Sequence, residues 1–381
     1  MKSFAALLAA AGAASAQSLA DVLTQTNATS QLAQLVQGVP GLLDRLSSAQ
    51  GITILAPNNE AIARFTAENG AAVQADPDLV PAVLNYHVLN GTIRAADITG
   101  APGPLFPRTL LDDDDYEDVA GTQYLEAQAV NNGVTFFSGL ERNSTVVQAD
   151  VNFTGGVIHI IDQVLTLPAN ITVTATAAGL SSLAGALIQT ELLETVNEAD
   201  NITVFAPSNA AFQNIASVLS NATRETITSV LTYHVVNSSV IFSTDLRDGA
   251  QVPTLNGGSL TINQEGDNFF VNGALISTPN VLVENGVVHV IDQVLNPGNA
   301  TAAPAAGATA GAVQFQGAQA GPEPPLTSGV PAPTSTISSG AGATSRAGGS
   351  ASASPPASTG GAAKVAAPIA GAIVGVAAFL I

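Results

Sequence analysis

The chain has no cysteine, no tryptophan and one methionine in 381 residues, and only 4% of it is aromatic. Without cysteine there is no disulfide to staple a small fold, no thiolate for a structural metal and no thiol nucleophile. Whatever folds here does so by packing alone, which domains of ~130–150 residues can do. Basic residues are scarce too: ten Lys and Arg stand against 29 Asp and Glu. Lys2 and Lys364 are the only lysines, one near each end, and without them eight arginines face the 29 acids. That balance excludes ordinary nucleic-acid binding, which needs a basic footprint, and a polybasic dock on anionic lipid. A neutral or cationic partner fits, such as a glycan or a Ca²⁺-bridged surface. Neither a G-x-S-x-G elbow nor a P-loop is present, which removes two large enzyme groups.

The two ends are apolar. Residues 1–16 combine Lys2, a short apolar run from Phe4 to Ala14 and Ala14-Ser15-Ala16. A positive start, a run too short to span a bilayer and an A-x-A site predict a secretory signal peptide cleaved before Gln17. Residues 365–381 carry no charge and follow a polar, small-residue stretch. That order predicts a glycolipid (GPI) anchor signal, with attachment at Gly349 or Ser350. Nine N-x-S/T sequons lie between, at Asn27, Asn90, Asn143, Asn152, Asn170, Asn201, Asn221, Asn237 and Asn299. Behind a signal peptide they predict N-glycosylation, mostly at the surface.

Three blocks occur twice in the same order. Ile52-Thr-Ile-Leu-Ala-Pro-Asn-Asn-Glu-Ala-Ile62 returns as Ile202-Thr-Val-Phe-Ala-Pro-Ser-Asn-Ala-Ala-Phe212. Leu84-Asn-Tyr-His-Val-Leu-Asn90 returns as Leu231-Thr-Tyr-His-Val-Val-Asn237, and Gly155-Gly-Val-Ile-His-Ile-Ile-Asp-Gln-Val-Leu165 as Asn285-Gly-Val-Val-His-Val-Ile-Asp-Gln-Val-Leu295. The offsets are 150 residues (52 to 202), 147 (84 to 231) and 130 (155 to 285). Periods that long mean two whole domains, 17–167 and 168–297, not a solenoid of short repeats.

These blocks resemble the fasciclin (FAS1) domain. The first is similar to its T-V-F-A-P-S-N-x-A-F motif, the second to its central Tyr-His pair and the third to its N-G-x-V-H-V-I-D-x-V-L motif. The resemblance covers roughly 18–297. It implies an α+β fold, each copy a β-rich wedge or sandwich with its helices grouped in the N-terminal half. It also implies an extracellular or surface-anchored adhesion module. In animal members the Tyr-His pair and an Asp-Ile-type dipeptide before the last motif are implicated in receptor binding. The positions that match are Tyr86, His87, Asp150 and Val151 in copy one, and Tyr233 and His234 in copy two. There Asn280-Val281 holds the dipeptide's place.

The patterning agrees with α+β on its own terms. Apolar residues at helical spacing run through 18–50, broken at Pro40-Gly41. Asn58 and Ser208 sit where helix N-caps are needed. Asn131-Asn132-Gly133 and Gly266-Asp267 read as hairpin turns. The last block of each copy reads as a strand buried on both faces. The offset shrinks between the second and third blocks, which places an insertion in copy one within about 94–123. It contains Pro102, Pro104, Pro107 and Asp112-Asp113-Asp114-Asp115, and reads as an acidic surface loop. From 298 to 364 the chain is Ala, Gly, Ser, Thr and Pro with almost no charge, and reads as an unfolded, O-glycosylated stalk. Fully extended, about 55 residues of it at ~3.1 Å each would reach on the order of 170 Å. The cysteine-free chain and this stalk point to a fungal source.

The four histidines, His87, His159, His234 and His289, are two copies of two positions. They could be catalytic, or structural rings bonded inside a β core. No third ligand recurs at metal spacing, so no metal, cofactor or catalytic residue is assigned. Asp162 and Asp292 lie three residues after His159 and His289, on the opposite face of a strand, and read as fixing the turn that follows. The acidic run lacks the alternation of a calcium loop. The expected role is adhesion or wall and matrix organisation, with surface or wall proteins or glycans, or further copies of the chain, as partners. A lectin-like module and a His/Asp hydrolase are the alternatives. The first asks for an aromatic platform, the second for an exposed ring beside a carboxylate.

Overall fold

The computed structural model describes residues 17–331. The expected signal peptide, the expected attachment site at Gly349 or Ser350 and the expected anchor tail lie outside the described residues. In domain 1 the strands are β1 (Ile52–Pro57), β2 (Val88–Asn90), β3 (Glu126–Val130), β4 (Gly133–Phe137), β5 (Asn143–Phe153) and β6 (Gly156–Ile161). They form one sheet in the order β2-β1-β6-β5-β4-β3. In domain 2 they are β7 (Ile202–Pro207), β8 (Val235–Val236), β9 (Gln251–Pro253), β10 (Ser259–Glu265), β11 (Asn268–Val271), β12 (Ala274–Val283) and β13 (Gly286–Ile291). Their order is β8-β7-β13-β12-β11-β10-β9, the same wiring with one edge strand added. Among the described strands only β1–β6 and β7–β13 pair in parallel, so the first and third repeated blocks lie side by side as the second and third strands of each sheet.

Alternation along β1 explains why every residue of it is buried. Ile52, Ile54 and Ala56 face the three N-terminal helices (Leu19–Gln25, Ser30–Gly38, Leu42–Ser48), while Leu55 faces Tyr86, Leu89, Leu125, Phe136 and Ile161. Domain 2 divides the same way, with Ile202, Val204 and Ala206 on one face and Phe205 on the other. Each sheet is thus sandwiched between two apolar layers, which long continuous apolar strands require. The close parallel pairing also explains the glycine that the third block carries in both copies. A Cβ at Gly156 or Gly286 would overlap the carbonyl oxygen of Ile52 or Ile202.

Helix starts follow the reading. Asn58 Oδ1 accepts from Ala61 N–H at 2.8 Å and Ser208 Oγ from Ala211 N–H at 3.2 Å. The hairpin at Asn131-Asn132 uses two left-handed residues, φ 50° and 64°, as a two-residue turn between β3 and β4 demands.

Two segments depart from expectation. The insertion is not simply a solvated loop. Asp112, Asp114 and Asp115 are exposed, but Leu111, Glu117, Val119 and Gln123 are buried. Tyr116 Oη donates to Asp76 Oδ2 at 2.6 Å, and the segment then runs into domain 2. There Asp118 N–H donates to Glu284 O (3.1 Å), Asn201 N–H to Asp118 O (3.3 Å), and Gln123 Nε2 to Glu284 O (2.9 Å). Phe106 stacks on Phe242 with centroids 3.9 Å apart. The insertion is the mortar between the domains.

The second departure is the start of the stalk. Residues 298–331 run along domain 2 as a strap. Phe315, Leu326 and Val330 pack against its helical core. Gln213 Nε2 donates to Gly321 O (2.9 Å), Ser182 Oγ to Pro325 O (2.7 Å), and the buried Gln314 reaches Asn272 O (2.7 Å). Three apolar anchors and a string of hydrogen bonds hold a segment whose composition alone reads as unfolded. Packing these residues down takes on the order of 100 Å from the expected reach of the stalk.

Candidate functional site

Both Tyr-His pairs end a helix, Leu79–Tyr86 in domain 1 and Arg224–Tyr233 in domain 2, and turn inward. Tyr86 is fully buried and its hydroxyl donates to Tyr124 O (3.0 Å). Tyr233 donates to Ser259 O (2.9 Å) and accepts from Asn272 Nδ2 (2.7 Å). His87 Nδ1–H donates to Val83 O (2.6 Å), and its Nε2 accepts from Leu165 N–H (2.9 Å). His234 repeats both bonds, to Val230 O (2.7 Å) and from Leu295 N–H (2.8 Å). One ring nitrogen donating and the other accepting defines a neutral imidazole. Burial pushes both rings down to about 4, so they stay neutral. Each ties the helix end to the segment after the last strand.

The second histidine of each domain holds a bulge. On β5 the register with β6 shifts between Gln148 and Val151, and Asp150 adopts φ 57°. On β12 it shifts between Thr278 and Val281, and Asn280 adopts φ 67°. His159 Nδ1 accepts from Asp150 N–H (3.3 Å) while its Nε2–H donates to Ile93 O (2.9 Å). His289 makes the same pair with Asn280 N–H (3.3 Å) and Ile241 O (2.8 Å). The bulge residue's side chain is occupied as well: Asp150 Oδ1 accepts from Ala95 N–H (3.2 Å) and Asn280 Oδ1 from Ser243 N–H (2.8 Å). Asp and Asn interchange here because both tolerate the left-handed region and both offer an acceptor. Val151 packs half-buried on the helical core. Asp162 Oδ1 accepts from Thr145 N–H (2.7 Å) and Asp292 Oδ1 from Leu275 N–H (2.8 Å), tying the end of β6 and β13 to their neighbours.

A receptor-contact role for Tyr86, His87, Tyr233 and His234 is therefore not open to the folded domains. All four are at most 3% exposed and their polar atoms are used inside. Nor does any histidine stand exposed beside a carboxylate, the geometry the hydrolase alternative needs.

The open concavity lies elsewhere, between the domains. A cleft of about 420 Å³ is lined by Pro102, Pro104, Phe106 and Tyr124 from domain 1 and by Phe242 and Asp245 from domain 2. Tyr124 meets Phe242 edge-on at 4.9 Å and carries the Arg108 guanidinium 4.2 Å from its centroid. Among the described residues, no group of three or more acidic or histidine side chains is placed to hold a metal ion.

The fasciclin domain family matches this chain twice, over residues 27–168 and 178–297. The chain belongs to the fasciclin domain family. A fasciclin-like arabinogalactan protein of Arthroderma benhamiae is 33% identical over 325 residues, 84% of this chain and 76% of that protein. Another, from Cercospora beticola, is 30% identical over 292 residues, 74% and 77% of the two chains. Human periostin is 28% identical over 267 residues, 68% of this chain and 30% of its own. A solved FAS1 domain pair from the insect cell adhesion molecule Fasciclin I is 22% identical and covers 72% of this chain and 99% of that one, with a TM-score of 0.36.

Within these fasciclin domains, motif reading missed two partners. It credits Asn58 and Ser208 as caps, but the next residue does more. Asn59 accepts from Gln31 N–H (3.0 Å) and donates to Asn27 O (2.7 Å); Asn209 does the same with Ser182 N–H (3.0 Å) and Gly179 O (2.8 Å). Each ties the N-terminal helices to the start of the helix that follows the first strand of its domain, and its identity in both copies was the available signal. Gly155 stands where domain 2 and the family motif have Asn, and that difference also has a cause. Asn285 Nδ2 donates to Val196 O and Ala199 O, whereas a Cβ at Gly155 would press on the Ala49 carbonyl.

Proposed function

We propose that this protein is a surface adhesion protein of the wall or matrix, carried outward by its signal peptide and held by a GPI anchor. Its two fasciclin domains make weak contacts that many anchored copies multiply. The observation that carries this reading is the pair of fasciclin domains with every histidine of the repeated motifs committed to the fold. What such a pair offers a partner is its loops and surface, not a reactive group. Among the described residues, no helix is long and apolar enough to cross a membrane. In this reading the anchor is attached at Gly349 or Ser350.

Glycosylation belongs to the same reading. Asn27, Asn90, Asn143, Asn152, Asn221 and Asn237 are exposed. Asn170 instead caps a helix, Asn201 accepts from Ala120 N–H across the domain junction, and Asn299 donates to Gln314 O. Glycopeptide mass spectrometry of the secreted chain should find glycan on several of the six and none on Asn201 or Asn299. Modified Asn201 would contradict the domain junction described above.

The test of function is clumping of beads that carry the full chain. Clumping alone means homotypic contact. Clumping only when beads carrying wall glycan are added supports a second reading, a glycan site, which the aromatic lining of the cleft favours; Phe106→Ala should then abolish it. Clumping with neither would count against both.

A further inference from the structure

The strap on domain 2 is held as a peptide ligand is held. Domain 2 grips its backbone at three places. Gly321 N–H donates to Gln213 O (2.9 Å), and Gly321 O accepts from Gln213 Nε2 (2.9 Å). Gln319 N–H donates to Ser217 Oγ (2.8 Å), and Gln319 O accepts from Ser217 N–H (3.1 Å). Pro325 O accepts from Ser182 Oγ (2.7 Å) and Leu326 O from Gln189 Nε2 (3.3 Å). The walls of this groove are the helices Ser181–Thr190, Asn209–Asn214 and Ala216–Leu219. Two glycines set the closeness of fit, one on each side. A Cβ at Gly185 would overlap the Leu326 carbonyl oxygen, and one at Gly321 would press on the Ala216 methyl group. Leu326 itself takes φ 63°, a conformation that a leucine adopts only where its surroundings hold it.

The fit is specific, yet the seat is shallow. Gln314 is the only buried residue between 298 and 331, and Phe315, Leu326 and Val330 are half-buried. Residues 300–311, which lead to the seat, place no side chain in an apolar core. They touch domain 2 through polar bonds such as Gly307 N–H to Glu265 Oε2 (2.9 Å) and Gly311 N–H to Asp292 Oδ2 (2.6 Å). Extended at ~3.1 Å per residue, this leash reaches on the order of 35 Å, about the width of a small domain. Pro322, Pro324 and Pro325 keep a released segment extended, which lowers the cost of seating it again. Exposed Glu323 is the one charge between 298 and 331, so the strap can approach a strongly acidic protein with little repulsion.

We propose that this groove is an exchangeable peptide site, and that its second occupant is the strap of another copy, so that neighbouring chains link by trading straps. This contact deepens the homotypic form of the adhesion reading and rests on it. A traded strap makes the same bonds as a strap seated in its own chain, so exchange costs only the entropy of association. Many copies crowded on one surface reduce that cost.

Two full-length variants separate the halves of the contact. L326D/V330D spoils the strap and opens the groove; Gly185→Leu spoils the groove and frees the strap. Fast elastase cutting between 300 and 331 shows that the strap has left its seat, and Phe315→Asp is added if it has not. A fluorescent peptide of residues 312–331 should bind L326D/V330D, bind the parent about tenfold more weakly because its own strap competes, and not bind once Gly185→Leu is added. Should Gly185→Leu misfold, Gln213→Ala removes the bond to Gly321 O without adding bulk and should weaken the peptide. Beads carrying L326D/V330D should clump with beads carrying Gly185→Leu, while neither kind clumps alone. An open groove that leaves the peptide unbound, or mixed beads that stay dispersed, would overturn the exchange. Either variant clumping by itself as the parent does would also overturn it, and would leave adhesion through other surfaces standing.

Discussion

At the residue scale, the most telling side chains are those that look reactive and are not. His87 and His234 each join a helix carbonyl to a backbone N–H 78 and 61 residues further along the chain. That distance is why their role was hidden in the sequence: recurrence showed that the positions matter, but the partners are main-chain atoms that any residue supplies. His234→Ala leaves Val230 O and Leu295 N–H unpaired in a dry core, which should cost about 2–4 kcal/mol. Urea unfolding of the full chain checks it. A variant as stable as the parent would mean the ring is not the tie described here. Asp150 and Asn280 teach a related lesson. Sequence comparison casts the dipeptide as a contact, and the bulge explains it as a left-handed acceptor position.

At the element scale, strands, hairpins and helix starts were legible because each rests on local chemistry: alternation, paired asparagines in a tight turn, a capping side chain before a helix. The strap was not. Its composition is that of a disordered segment, and its order depends on a surface shaped elsewhere. The internal duplication locates that shape. Ser182 and Gln31 make the same bond to Asn209 and Asn59, so Gly185 on the helix Ser181–Thr190 stands where domain 1 has Gln34. A Cβ at Gly185 would overlap the carbonyl oxygen of Leu326. The strap therefore fits domain 2 and not domain 1. Gly185→Leu should release it while leaving the domain folded, at a cost of about 1–3 kcal/mol. Limited digestion with elastase checks this: cutting between 300 and 331 should be slow in the parent and fast in the variant. Equal rates would mean the strap is not seated through Gly185.

At the scale of the whole molecule, two sets of buried groups oppose each other. His87, His234 and His289 are pushed down to about 4 by burial, so their stabilisation is complete above the free value of ~6.5 and is lost as pH falls toward 4. Glu117 and Glu141 are pushed up to about 7 and Glu126 to about 8, so theirs is complete in acid and is lost as pH rises through 7 and 8. Between these limits folding neither takes up nor releases many protons. Thermal unfolding across pH should show a plateau near ~5–6 with stability falling on both sides. A steady rise from pH 5 to pH 8 would contradict the buried glutamates. The junction that carries one of them was only partly legible: the shortened third offset located the insertion, but nothing local says that it packs on a second domain.

The central claim is adhesion by many weak, non-catalytic contacts. It is tested most directly by displaying the full chain on cells at graded surface density and measuring their attachment to one another and to isolated wall material. The account predicts little attachment at low density and a steep rise above a threshold, as avidity requires. Attachment that climbs in simple proportion to copy number, or none at any density, would contradict it.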